Sequence, residues 1–285
     1  MCMNLERVLV PPIKCQGIKT KLVQHIKSAI PHSIKGKWIE PFCGSCVVAL
    51  NIKPKRALLV DKNIHIINFY KMVQTGEIDG ETVVCYLHEK GKQLEKKGEI
   101  IYYETREYFN KTHDPLAFIF LNRSCFNGVM RFNNKGEYNV PFCRNIYRFN
   151  EAYLSKIRNQ IENFAKVIKD LEWEFRCTDY CEAFSSAESR DIIYADPPYA
   201  GRNSTYYSSW DEKDELELIK RLKSSPCSFL LSTWLGNQWR TNDSISNYWV
   251  ENSEVKIIRL KHHYHVGSLT EFRYSMEEGI IIGIK

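Results

Sequence analysis

Short apolar runs recur along the chain near 38–42, 57–60, 173–177, 191–195, 228–232, 255–260 and 279–284, each of strand length. Between them, near 45–52, 63–75, 181–187 and 211–224, apolar residues fall at helical spacing. Strand and helix in alternation predict an α/β fold, a Rossmann-like sheet with helices on both faces. The rhythm breaks from about 66 to 165. That stretch reads as helix from Gly80 to Asn122, then carries Phe126-Asn127-Gly128 and Asn133-Asn134-Lys135-Gly136, whose Asn and Gly residues favour tight turns. A mostly helical insert with a β-hairpin over about 128–142 is predicted. With no repeat and no low-complexity linker, it is expected to pack on the core.

Acids stand at the ends of several predicted strands. Ile192-Ile193-Tyr194-Ala195 runs into Asp196-Pro197-Pro198-Tyr199, where two prolines stiffen the loop. Such a loop can hold an exocyclic amino group from two sides. Asp196 and the Pro197 carbonyl each accept one hydrogen bond from an –NH2, while Tyr199 stacks on the attached ring. Two acceptors on both hydrogens draw the nitrogen toward tetrahedral geometry and aim its lone pair at an electrophile, which N-methylation of adenine or cytosine requires. Taken alone, the tetrapeptide reads equally well as turn punctuation. Its company favours the first reading. Trp38-Ile39-Glu40-Pro41-Phe42-Cys43-Gly44-Ser45-Cys46 reads as strand, small-residue turn and helix start, where a nucleotide-like ligand can approach the backbone. Ala57-Leu58-Leu59-Val60-Asp61 ends in an acid placed to grip ribose hydroxyls. The segment from Trp173 to Asp179-Tyr180 ends in an acid and an aromatic suited to an adenine ring.

With those residues in view, the chain resembles the Dam-type, alpha-ordered DNA adenine-N6 methyltransferases from about Pro11 to near its end. Four blocks carry the likeness: Pro12 to Lys19, Glu40 to Ser45, Leu121-Asn122-Arg123-Ser124-Cys125-Phe126-Asn127-Gly128 through Arg131 to Asn139-Val140-Pro141-Phe142, and Asp196 to Tyr199. The third is the most diagnostic, having no generic structural reason to recur. The resemblance implies a catalytic domain binding S-adenosylmethionine over 1–65 and 166–285, and a target-recognition domain over 66–165 that binds double-stranded DNA. It implies Asp196, Pro197, Pro198 and Tyr199 as catalytic residues. Gly17, Lys19, Glu40, Phe42, Cys43, Gly44, Asp61, Asp179, Tyr180 and Asp196 are implied at the cofactor, and Lys14, Arg123, Asn127, Arg131, Asn133, Lys135, Pro141 and Arg144 at DNA. Lys14 resembles a base-reading position, with a phosphate role equally open. Two positions depart: family members carry an aromatic where Cys15 stands and a very small residue where Cys46 stands. Cys46 must therefore point away from the ligand.

Charge sharpens this picture. The net charge is +6, and the basic residues cluster. Residues 1–37 hold seven Lys or Arg against one Glu, and residues 120–160 hold seven against two, which suits a phosphate-binding face. Hydrophobic content of 44% with 26% charged is ordinary for a soluble globular protein. No apolar run approaches a membrane span and the first residues do not open a signal peptide. A cytoplasmic protein is expected, as a monomer or weak dimer, acting alone or beside a cognate restriction endonuclease. Among ten cysteines, Cys43 and Cys46 form a CxxC inside the cofactor turn, where a metal would block the ligand. Cys177 and Cys181 differ from them in spacing, and of His262, His263 and His265 only two share a strand face. No metal site is expected. Two rival functions stay open: amino-methylation of another acceptor such as cytosine N4 or RNA, and a non-enzymatic DNA-binding module.

Overall fold

The computed structural model describes residues 7–199, 210–236, 242, 246–250, 255–263 and 275–285. His265 of the histidine cluster lies outside them. Seven strands form one sheet: β1 (Trp38–Glu40), β2 (Arg56–Asp61), β3 (Glu172–Cys177), β4 (Ile192–Ala195), β5 (Ser228–Gly236), β6 (Val255–His263) and β7 (Ser275–Gly283). Their order is β3-β2-β1-β4-β5-β7-β6. The first five run parallel, and β7 lies antiparallel between β5 and β6. The order reverses between β1 and β4, which opens a crevice at their carboxyl ends. Each predicted strand is present, within a few residues at either end.

Because side chains alternate across a strand, the apolar runs feed two cores. Trp38, Leu59, Ile192, Tyr194, Leu230, Ile280 and Ile282 pack on one face. Ile39, Leu58, Val60, Ile193, Ala195, Phe229, Leu231 and Ile281 pack on the other. Helices cover both. The first face takes α1 (Val23–Ala29), α2 (Val47–Ile52), α3 (Ile64–Thr75) and the helices of the insert, and the second takes α8 (Tyr180–Ser185) and α9 (Glu212–Ser224). Among the described residues no helix is long and apolar enough to cross a membrane.

The helical stretch expected from Gly80 to Asn122 is three helices: α4 (Gly80–Lys97), α5 (Ile100–Thr112) and α6 (Pro115–Ser124). Gly98 breaks the first pair at φ 71°, and His113 breaks the second at φ 55° before Pro115 restarts the chain. Asp79 and Asp114 cap α4 and α6, accepting from Thr82 N and Ala117 N. The last helix of the insert, α7 (Glu151–Ile168), is capped by Asn150 and returns the chain to β3.

The β-hairpin expected over 128–142 is present in short form, with Asn139 N donating to Arg131 O and Asn133 N to Glu137 O across its arms. The bridges are isolated, Phe132 with Tyr138 and Cys125 with Phe142, and no continuous ladder forms. Side chains also anchor it. Phe132 stacks on His65 of α3 at 5.2 Å, and buried Tyr138 meets Phe109 of α5 edge-on at 6.1 Å. The tip closes as predicted by its Asn and Gly. Asn133 Oδ1 accepts from the backbone of Lys135 and Glu137, and Gly136 adopts φ 77°.

Candidate active site

The turn after β1 forms the floor of a cleft at the reversal point. Cys43 N donates to Val60 O at 2.8 Å, tying the turn to β2. Gly44 sits at φ 46° and Cys46 at φ 57°, so the chain bends left-handed twice before α2 begins. Cys46 is fully buried and faces away from the cleft, whereas Cys15 lines it and lies over Gly44. Burial pushes the Cys43 and Cys46 thiols up, which leaves both as inert core fillers. Asp61 also lines the cleft, yet its carboxylate already braces the floor: Oδ2 accepts from Gly44 N at 2.9 Å and Oδ1 from Asn63 N at 2.8 Å. One lone pair on each oxygen remains to meet a hydroxyl.

At one end of this cleft Phe42, Tyr180 and Trp210 form an aromatic box. Phe42 stacks on Tyr180 at 5.1 Å and meets Trp210 edge-on at 5.3 Å. Trp210 Nε1 is buried with no hydrogen-bond partner among the described residues. An unsatisfied donor in an aromatic slot fits a flat heterocycle carrying ring acceptors. Asp179 is not part of this lining. It caps α8 by accepting from Cys181 N at 2.9 Å and pairs with Lys62 at 2.8 Å. A strand that runs straight into a helix needs that cap, and only the neighbouring Tyr180 reaches the cleft.

The other end holds Asp196, Pro197, Pro198 and Tyr199, beside Glu40 and Lys19. Lys19 Nζ stands 2.9 Å from Asp196 Oδ1, donates to Gly17 O at 2.8 Å, and lies 5.2 Å from the Tyr199 ring centre. The Lys19–Asp196 contact is close but poorly aligned, so Asp196 Oδ1 has no well-directed hydrogen bond among the described residues. Burial works against the Lys19 ammonium, but Asp196 and, after it, Tyr199 outweigh this and hold the group well above its ordinary value. Burial raises the Asp196 carboxyl, and Lys19 draws it back. The two directions pull apart, since burial disfavours the Asp196 carboxylate while Lys19 stays charged; the cation at 2.9 Å is what favours the carboxylate. Tyr199 donates its hydroxyl to Glu278 Oε1 of β7 at 3.3 Å.

Glu40 behaves differently. It is 2% exposed and accepts from Trp38 Nε1 at 2.8 Å. Burial pushes its carboxyl from 4.5 to about 8, against the Trp38 bond. It is therefore protonated at neutral pH. The native state holds this proton where the unfolded chain has released it, so Glu40 makes stability fall as pH rises from about 4.5 to about 8. The fall is at most about 1.4 kcal/mol per pH unit. Glu40→Gln keeps an acceptor for Trp38 and is expected to flatten that slope. Denaturant midpoints between pH 5 and 9 with the wild-type slope would assign the loss to another group.

The insert leaves most of its predicted DNA residues exposed. Lys14 N donates to Asn122 Oδ1 and Lys14 O accepts from Asn122 Nδ2, pinning the N-terminal segment to α6. Its side chain packs on Gly128, where an added Cβ would come within 3.1 Å. Arg131, Asn127, Lys135, Pro141 and Arg144 are exposed. Arg131 Nε donates to Asn139 Oδ1 at 2.8 Å, which fixes the plane of its guanidinium. Asn133 is committed to the turn through its oxygen and donates to Glu137 Oε2 at 2.8 Å. Arg123 is corrected. It is 3% exposed, under Tyr153 and bonded to Gln160 of α7, so it cannot meet a phosphate. The α6–α7 packing that buries it leaves no mark in its own segment.

Comparison with known proteins accounts for this combination. The pattern of the D12 class N6 adenine-specific DNA methyltransferases matches residues 16–266. The chain belongs to that family. A DNA adenine methylase of Vibrio cholerae is 35% identical over 199 residues, 68% of this chain and 66% of that protein. One from Salmonella typhi is 34% identical over 268 residues, 87% of each. The modification methylase StsI of Streptococcus sanguinis is 28% identical over 277 residues, which cover 93% of this chain but only 41% of that protein.

In this family member the cleft unites all the predicted cofactor and catalytic residues except Asp179. Sequence reasoning missed three features. Trp210 precedes the capping box of α9 and carries no local signature. Glu278 is a buried acid behind Tyr199. Phe126, beside left-handed Asn127, is a large apolar side chain that is 54% exposed.

Proposed function

We propose that this methyltransferase moves a methyl group from S-adenosylmethionine to N6 of an adenine extruded from duplex DNA. The observation that carries the reading is the single cleft in which the Gly44–Asp61 floor and the Asp196–Tyr199 loop face one another. The residues present fit the cofactor. Phe42, Tyr180 and the unpaired Trp210 Nε1 suit its adenine, and Asp61 suits its ribose. Bound there, it supplies an electrophilic methyl on a sulfonium.

Asp196 and the Pro197 carbonyl would grip the N6 hydrogens while Tyr199 stacks on the base. An adenine cannot react inside the duplex, and extrusion costs roughly a few kcal/mol. The rate gain then rests on positioning and on placed charge. A strong base is not required, since the nitrogen becomes far more acidic once it carries the methyl group. We assign residues 66–165 to target recognition, with α3 shared, since its side chains also meet the sheet. Phe126 is the side chain placed to wedge between base steps. Incubation with tritium-labelled cofactor, nuclease digestion and chromatography tests the reading: label is expected in N6-methyladenine. Label in N4-methylcytosine or in RNA, or none in nucleic acid, would overturn it.

Arg131 separates base reading from backbone binding. With its plane fixed by Asn139 it can present a donor pair to a guanine edge, worth about 1–3 kcal/mol of discrimination. Arg131→Ala is expected to relax site preference more than it weakens non-specific binding. Loss of a phosphate-binding lysine should instead weaken all sequences alike and flatten the salt dependence. Methylation rates on single-base variants of the mapped site decide this. An unchanged preference profile would make the 128–142 segment a backbone clamp.

A further inference from the structure

On β7, Glu278 shares its face with Ile280 and Ile282, both in the core beneath the sheet. The period predicts an apolar side chain there, and Glu278 is 2% exposed. A buried carboxylate is costly unless something requires it. Its surroundings supply the requirement: the Tyr199 hydroxyl donates to it at 3.3 Å, and the Tyr199 ring lies against the Lys19 ammonium at 5.2 Å. Glu278 is also held firmly. It pairs across to Trp234 of β5 and Leu260 of β6, and a Cβ added at the next residue, Gly279, would come within 2.6 Å of Leu235. A bulge in β5 between Trp234 and Gly236 lies beside it, an irregularity that re-aims side chains at active sites.

We infer that Glu278 is a positioning residue of the methyl-transfer site, holding the Tyr199 ring against the extruded base through the Tyr199 hydroxyl. The carboxyl is felt by the groups around Tyr199, since Glu278 helps to hold Lys19 charged and adds to the rise of Asp196. This rests on the function proposed above.

The test is a double-mutant cycle between Glu278→Ala and Tyr199→Phe. Each single variant is expected to lower kcat on the order of tenfold to a hundredfold, the scale of a hydrogen bond to a charged group, and the double variant to be no worse than either. Cofactor affinity by calorimetry should stay within about twofold of wild type, because neither group is placed at the cofactor. With 2-aminopurine at the mapped target adenine, both singles should alter the fluorescence of the bound, extruded base alike. Glu278→Gln keeps an acceptor for the hydroxyl and should restore that fluorescence while retaining part of the kcat loss. If Glu278→Ala fails to fold, Glu278→Met, which removes the acceptor while filling much of the space, carries the cycle with Tyr199→Phe on the same terms. Full additivity, or a Glu278→Ala enzyme with wild-type kcat and fluorescence, would overturn the inference alone. A wild-type protein that methylates no DNA adenine would overturn the functional reading beneath it as well.

Discussion

Asp196→Ala is expected to lower methyl transfer by at least about a hundredfold, the scale seen when one preorganised group is removed from a reacting centre. Cofactor affinity should change little. The reason is chemical: Asp61, Gly44 and the aromatic box suit the cofactor's ribose and adenine, whereas Asp196, with Pro197 and Tyr199, suits the acceptor amine. The variant also strands a cation. The Lys19 side chain is 5% exposed and has Asp196 as its carboxylate at 2.9 Å, and breaking a buried pair by removing one partner costs about 3–5 kcal/mol. Asp196→Asn is therefore the necessary companion, since it keeps the shape and one carbonyl acceptor. It should also be nearly inactive, because the amide turns its one acceptor to Lys19 and leaves its –NH2, a donor, facing the target amine. Single-turnover rates and calorimetric titration on both variants decide the matter. Near-normal turnover in the folded Asn variant would remove the Asp196 charge from the mechanism.

What could be read from the chain depended on how local each signal was. Strand runs such as Leu58-Leu59-Val60 and Ile192-Ile193-Tyr194 were legible because both faces of a parallel sheet are buried. Their acidic ends were legible because polar residues mark where a strand leaves the core. The use of each acid was not. Asp61 braces the cofactor turn and Asp179 caps a helix, yet both follow an apolar strand in the same way. Distinguishing them needs the backbone amides that each carboxylate meets. Arg123 failed for a longer-range reason, since its burial is made by Tyr153 and Gln160 about thirty residues on. The 128–142 hairpin was legible from its Asn and Gly turn, and its arms pair through a few backbone hydrogen bonds. What fixes it in place was not legible, since Phe132 on His65 and Tyr138 on Phe109 are contacts made with other helices.

Lys19→Met should change the pH dependence of catalysis in a way that separates charge from packing. Methionine fills much of the same space but leaves Asp196 without its cation. Burial still raises the Asp196 carboxyl, the downward pull of Lys19 is gone, and the like charge of Glu278 remains. The carboxyl must then take up a proton at higher pH than in wild type. Transfer needs the ionised form to accept from the target amine, so the acid limb of the kcat profile should move upward. An opposite charge in contact shifts a carboxyl by about 1–3 units, so a displacement of about that size is expected. Turnover at neutral pH should fall accordingly and recover in part as pH rises. Lys19→Arg, which keeps the charge with a different fork, should leave the limb near its wild-type place even if the absolute rate drops. Profiles of kcat against pH for the three proteins give the answer. A Lys19→Met enzyme with an unshifted limb would mean that Lys19 acts through Gly17 and the fold of the N-terminal segment, and that the backbone around Asp196 is enough to keep it ionised.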